Sequence, residues 1–126
     1  MKPAAILLAA VAFAAVASAA AGPRLRPIMN DWKVQANRAQ SILSGAVSYD
    51  QAELRQILTT MVGDARDVEA AIKGSSAQAR DVKDRFSQFE ADAAATLQSA
   101  GARDGAKARF QRVVNDCRSC HDALKN

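Results

Sequence analysis

The chain has 126 residues, with 17 Lys and Arg against 13 Asp and Glu, and carries a formal net charge of +4 at pH 7. The basic residues are dispersed among acidic ones, so there is no basic patch of the kind that binds nucleic acid, and most belong to a solvated helix surface. Aromatic residues make up 5% of the chain and no stretch alternates apolar with polar, which excludes a sheet-based fold.

Taken in order, the chain opens with Met1, Lys2 and Pro3 and then an apolar run over residues 4–17. Small residues follow, with cleavage options at Ala17-Ser18-Ala19 and Ala19-Ala20-Ala21. A short basic start, an apolar segment and an A-x-A site form a secretory signal peptide. The run is too short, too Ala-rich and too poor in Leu for a span of ~20 strongly apolar residues. The expectation is a cleaved signal peptide over residues 1–21 and one exported domain over residues 22–126. That domain is periplasmic and leaves the membrane once the signal is cut. Its length, a little over 100 residues, suits a single small core.

Four helices are predicted in that domain. The first runs from about Arg24 to Ser44, with Leu25, Ile28, Met29, Trp32, Ala36, Ala39, Leu43 and Ala46 recurring at three and four. Pro27 belongs in its first turn, and Gly45 ends it. The second opens at Asp50-Gln51-Ala52-Glu53, close to a capping box. It carries Leu54, Ile57, Leu58, Met61, Ala65, Val68 and Ile72 on one face, and Lys73-Gly74 closes it. The third follows Ser75-Ser76, keeps Val82, Phe86, Phe89, Ala93, Leu97 and Ala100 on one side, and stops at Gly101. The fourth, from about Asp104 to Leu124, aligns Phe110, Val113, Val114, Cys117, Cys120 and Leu124. Four amphipathic helices with short links predict an all-α, antiparallel up-down-up-down four-helix bundle. Alanine at many inward positions leaves its core thin.

The chemistry concentrates in Cys117-Arg118-Ser119-Cys120-His121. A Cys-x-x-Cys-His run is the attachment site of a c-type haem: two thiols add to the haem vinyl groups and the adjacent imidazole takes an axial position on the iron. On a helix, residues 117, 120 and 121 fall at i, i+3 and i+4, on one face. Structural zinc needs four ligands, and the chain has one His and two Cys. A thioredoxin-like pair needs a βαβ setting. In an exported protein two cysteines suggest a disulfide, but one helical turn is an awkward span for it and the following His would be left without a role. One covalent haem c is the expected cofactor, and its two propionates would bring the charge of the mature chain near neutral.

With these residues in view, the chain resembles the class II cytochromes c, the four-helix-bundle family of cytochrome c′ and its low-spin c-556-type relatives. Cys117 to Ala123 is similar to the family's C-x-x-C-H-D-A run near the C-terminus. Gly45-Ala46-Val47-Ser48-Tyr49-Asp50 is similar to its G-x-x-P-Y-D link between the first two helices. The resemblance spans the whole mature chain. It implies Cys117 and Cys120 as thioether positions and His121 as the proximal iron ligand, and counting back from the link it sets Met29 on the distal side. A methionine there closes the sixth position as a low-spin His/Met centre suited to electron transfer. An apolar residue there leaves a five-coordinate iron that binds nitric oxide or carbon monoxide. Met29 as plain core packing is the alternative, and Met61 reads as ordinary core. Where the family often has Arg four residues before the distal position, this chain has Leu25 between Arg24 and Arg26. Its basic residue four after the haem His is Lys125 in place of Arg.

Trp32 is read as a haem contact or a large core residue. Phe86, Phe89 and Phe110 are core or haem wall. With its single His assigned to iron, the chain offers no nucleophile or paired-carboxylate constellation for an enzyme. The reading is therefore a periplasmic mono-haem electron carrier serving redox partner proteins, monomer or homodimer. The runner-up is a cytochrome c′ that binds nitric oxide or carbon monoxide. A haem-free helical interaction module with a disulfide comes last.

Overall fold

The computed structural model describes residues 25–124. The expected signal peptide, Arg24 and Lys125 lie outside the described residues. Four helices follow one another: α1 (Leu25–Ser44), α2 (Gln51–Ala71), α3 (Ala77–Gln98) and α4 (Arg103–Leu124). Among the described residues there is no strand and no helix long and apolar enough to cross a membrane.

The ends of these helices follow from local chemistry. Pro27 is the third residue of α1, where a missing N–H costs nothing. Gly45 takes φ +87° and turns the chain out of α1, in the left-handed region that favours glycine. Asp50 caps α2 by accepting from the Glu53 N–H at 2.9 Å. The expected capping box is only half formed. The Glu53 carboxylate, rather than reaching back to its own cap, receives Arg38 Nε and Nη2 at 2.5 and 2.8 Å, and a two-pronged charge-assisted pair outcompetes one backbone donor. Ser76 caps α3 by accepting from the Ala79 N–H at 3.1 Å.

Three boundaries differ from the sequence expectation. Helix α2 ends at Ala71 with Ile72 extended at its C-cap, so Lys73-Gly74 does not close it. Helix α3 ends at Gln98 rather than running to Gly101. There the bonds shorten to three-residue spacing, from Ser99 N to Thr96 O and from Ala100 N to Leu97 O, a tightening usual in a last turn. The Ala100 carbonyl, freed by that ending, accepts the Tyr49 hydroxyl at 2.5 Å. Helix α4 begins at Arg103, one residue before the expected start.

Each helix packs on its sequence neighbours and α4 closes the ring on α1. With links this short, consecutive helices run antiparallel. The core is Ile42 and Leu43 of α1, Leu54, Leu58, Met61 and Ala65 of α2, Phe86 and Ala93 of α3, and Phe110 and Val113 of α4, each no more than 1% exposed. All seven residues expected to face inward from α2 are buried. On α1 the stripe is less complete. Ile42, absent from the expected set, is buried, whereas Ala46 lies past the helix end and is exposed. The seams α2–α3 and α3–α4 are extensive and those of α1 are slight. In the first turns of α1, Leu25, Ile28 and Met29 are only half-buried, and Trp32 is the first fully buried residue.

The contrast between the two methionines yields a stability test. In haem-free protein, Met61→Ala empties a closed site and should cost about 2–5 kcal/mol, while Met29→Ala, at a half-buried position, should cost less than half as much. Urea unfolding of the two variants measures this, and equal losses would contradict the packing described.

Candidate functional site

The apolar stripe of α4 runs Phe110, Val113, Cys117, Cys120, at spacings of three and four. Phe110 and Val113 are sealed in the core, Cys117 is half-buried and Cys120 is 8% exposed. Both cysteines are free thiols. They open onto a narrow pocket between α1, α3 and α4, lined by Met29 and Trp32, by Arg85, Phe86 and Phe89, and by Asp116, Cys117 and Cys120.

Trp32 is the best-fixed part of this wall. Its indole N–H donates to Asp64 Oδ2 of α2 at 3.0 Å. Its ring stacks on Phe89, with centroids 4.2 Å apart and planes within 8°, and meets Phe86 tilted at 5.8 Å. An aromatic with one polar edge needs such a partner when buried. Arg85 forms the pocket's polar rim: Nε pairs with Asp81 at 3.0 Å and Nη1 donates to Ser119 Oγ at 2.8 Å.

The thiols are held protonated. Burial pushes Cys117 up to about 11, with the charge of Asp116 and the neighbouring Cys120 adding to it. Burial also raises Cys120, against the opposing pull of Arg85.

Of the residues singled out from the sequence, Met29, Trp32, Cys117 and Cys120 come together on one pocket although they lie near opposite ends of the described residues. His121 does not join them: it sits one position off the buried stripe and is exposed. Met61 is fully buried away from the pocket, and Arg26 is exposed. Among the described residues no group of three or more His, Cys, Asp or Glu side chains converges as a metal site.

The donor set suits a haem. Two inward thiols one turn apart, an imidazole at the next position and a thioether on the facing helix are the groups that attach and ligate it. The pocket is far smaller than ordinary ligand sites of roughly 300–1,000 Å³, so a macrocycle would need space opened beside it, where Leu25, Ile28 and Met29 of α1 are only half-buried.

Four further residues shape the site and were not picked out beforehand: Asp64, Arg85, Asp92 and Asp116. Three of them carried a signal. Asp64 is three after Met61, Asp92 three after Phe89, and Asp116 three after Val113 and four before Cys120. Each is thus a carboxylate on an apolar stripe, the position at which a polar residue needs a reason. No family model matches the chain, and neither a curated protein nor a solved structure matches it.

The thiol environment has a chemical consequence. At neutral pH, haem-free protein should react with iodoacetamide at Cys117 roughly 100-fold more slowly than a free cysteine does. The rate should go on rising with pH past the point where a free thiol levels off, because the thiolate forms only near pH 11. Mass spectrometry of quenched time points follows each cysteine; a plateau at the free-thiol pH would contradict the burial described.

Proposed function

We propose that the protein is an exported mono-haem c-type cytochrome of the class II kind, an electron carrier rather than an enzyme, working in the periplasm with redox partner proteins. The observation that carries this reading is the meeting of Met29, Cys117 and Cys120 on one aromatic-walled pocket, with His121 next in the chain after Cys120.

When bound, the haem supplies a one-electron iron centre, and the chain's own residues attach, orient and shield it. Cys117 and Cys120 would hold it through two thioethers, each thiol adding its S–H across a vinyl double bond with no atom lost. Their protonated state suits an addition that consumes the thiol hydrogen. Placed one turn apart on a rigid helix, they hold the macrocycle by one edge. His121 supplies the proximal nitrogen, and Lys125 follows it four residues later. Met29, from the facing helix, supplies a soft sulfur that favours the reduced metal and raises the potential. Trp32, fixed by Asp64 and Phe89, keeps water from one wall, and Phe86 extends the apolar surface.

A second reading draws on one specific observation. Met29 is only half-buried, in the second turn of α1, the part of the bundle with the fewest anchoring contacts. Helix ends of this kind fray, so a sixth ligand held there is displaceable, and the centre would then bind nitric oxide or carbon monoxide.

Spectroscopy of purified protein distinguishes these readings. A pyridine haemochrome of the c type is expected after denaturation, and its absence would remove both. Ferric protein should show a methionine-to-iron charge-transfer band in the near infrared that Met29→Ala abolishes. High-spin spectra with ready carbon monoxide binding in the unmodified protein would instead establish the gas-binding reading. Cys117→Ser or Cys120→Ser should leave a single thioether, seen as a shifted haemochrome band.

A further inference from the structure

Among the described residues, three side-chain polar atoms are buried without a hydrogen-bond partner: Gln35 Oε1, Glu69 Oε2 and Asp116 Oδ2. Of these residues only Asp116 lines the pocket of Met29, Cys117 and Cys120. It also lines an open groove between α3 and α4, together with Asp84, Arg85, Gln88 and Ser119. One carboxyl group thus stands between that groove and the pocket.

Across the α3–α4 seam, Asp92 is 9% exposed, receives Gln88 Nε2 at 3.0 Å, and is near enough to Asp116 for each carboxyl to act on the other. Two neighbouring carboxylates, one with a buried oxygen that finds no donor, do not both stay ionised. One proton held between them supplies the missing donor and removes the repulsion.

The charged groups around the pair leave room for that proton. Arg112, on the same helix as Asp116, favours ionisation of both carboxyls. From α3 come Asp84 and Arg85, and the Arg85 guanidinium is already engaged by Asp81 and Ser119. Helix α4 adds the thiols of Cys117 and Cys120, while α1 contributes Met29 and Trp32, which do not titrate. Asp64 of α2 is occupied by the Trp32 indole. Burial, then the hydrogen bond and charge of Asp92, push Asp116 up to about 7. Burial also raises Asp92, but its bonds to Asp116 and Gln88 and the charge of Arg112 outweigh that and hold it below the usual range.

We propose that Asp92 and Asp116 form a redox-linked proton site, which takes up one proton through the groove as an electron reaches the pocket and releases it as the electron leaves. This rests on the haem reading above. The electron comes from a redox partner protein and the proton from solvent. One O–H bond forms on uptake and breaks on release, and each proton taken up offsets the charge of one electron. Neither carboxyl is assigned to the iron; the pair acts through its charge.

The sign follows directly. An added electron makes the pocket more negative and raises the proton affinity of the pair. The midpoint potential is therefore flat at low pH, falls as pH passes through the pair's two acidity constants, and is flat again above them. A tenfold rise in proton affinity on reduction, the order expected for a unit charge felt through a low-dielectric interior, corresponds to a total fall of about 59 mV for a one-electron couple.

The experiment uses the haem-loaded protein, its haem content first established by pyridine haemochrome. Potentiometric titration across neutral pH should show this fall centred near pH 7, and both Asp116→Asn and Asp92→Asn should flatten it. Infrared difference spectra between oxidised and reduced native protein should show a protonated carboxyl band gained on reduction near pH 7, which needs no variant to fold. Haem-loaded protein with a pH-independent potential and no such band overturns the proton site and leaves the cytochrome reading standing, as does a fall that persists in both variants. Absence of haem overturns the cytochrome reading and the redox linkage with it. Carboxyl ¹³C titration of the haem-free chain then still decides whether the pair shares a proton.

Discussion

Trp32 is the first buried side chain of α1 and holds the opening turns of that helix to the rest of the bundle. Over the first two turns of that helix the inward residues are half-buried, and the slight seams to α2 and α4 leave little else to hold it. The indole binds α2 by its N–H on Asp64 and α3 by its face on Phe89, so three helices meet at one side chain. A fully buried aromatic of this size contributes more through its area than any exposed ion pair near it. The exposed pairs Arg38–Glu53 and Arg66–Glu90 align neighbouring helices more than they stabilise them. Because Trp32 is anchored on both its polar edge and its face, the pocket has one firm wall, and the residues on either side of it, Met29 and the two cysteines, have a fixed reference.

Most of the fold was legible in the residues. The stripe on α2 needed only spacing, since its inward positions are apolar and Asp50 marks its start with a capping role. The end of α3 was not legible in this way. Its apolar pattern continues to Ala100, and spacing alone does not show that the last turn tightens after Gln98 and leaves the Ala100 carbonyl to Tyr49. The half-formed capping box has the same origin, because Arg38 lies on another helix and periodicity cannot announce a cross-helix partner. Ile42 was passed over because Leu43 already satisfied the repeat, yet a helix face broad enough to meet two neighbours takes both.

The candidate site divides along similar lines. The cysteines and Met29 were identified by residue type and order, and the fold brings them to one pocket. Asp64, Asp92 and Asp116 were passed over because a carboxylate in a helical repeat is ordinarily assigned to the solvent face. Their placement on inward stripes was visible, but what they do there depends on partners from other helices: an indole for Asp64, and each other for Asp92 and Asp116. His121 shows the reverse case. Its role was inferred from its neighbour in the chain, while its side chain faces outward, one step beyond the stripe its cysteines share.

The Tyr49 bond has a further consequence for how the bundle deforms. It joins the link over residues 45–50 to the turn at Ala100, at the end of the bundle opposite the free start of α1. Gly45 meets Arg103 at that same end, where an added Cβ would stand 3.1 Å from the guanidinium. One end of the bundle is therefore clamped while the other is held chiefly by Trp32. In mechanical terms α1 is secured most firmly towards its C-terminal end, by Ala39, Ile42 and Leu43, and least over its first two turns, which include Met29. Any rearrangement that opened the seam between α1 and α4 would move those half-buried residues first and leave the α2–α3–α4 core as it is.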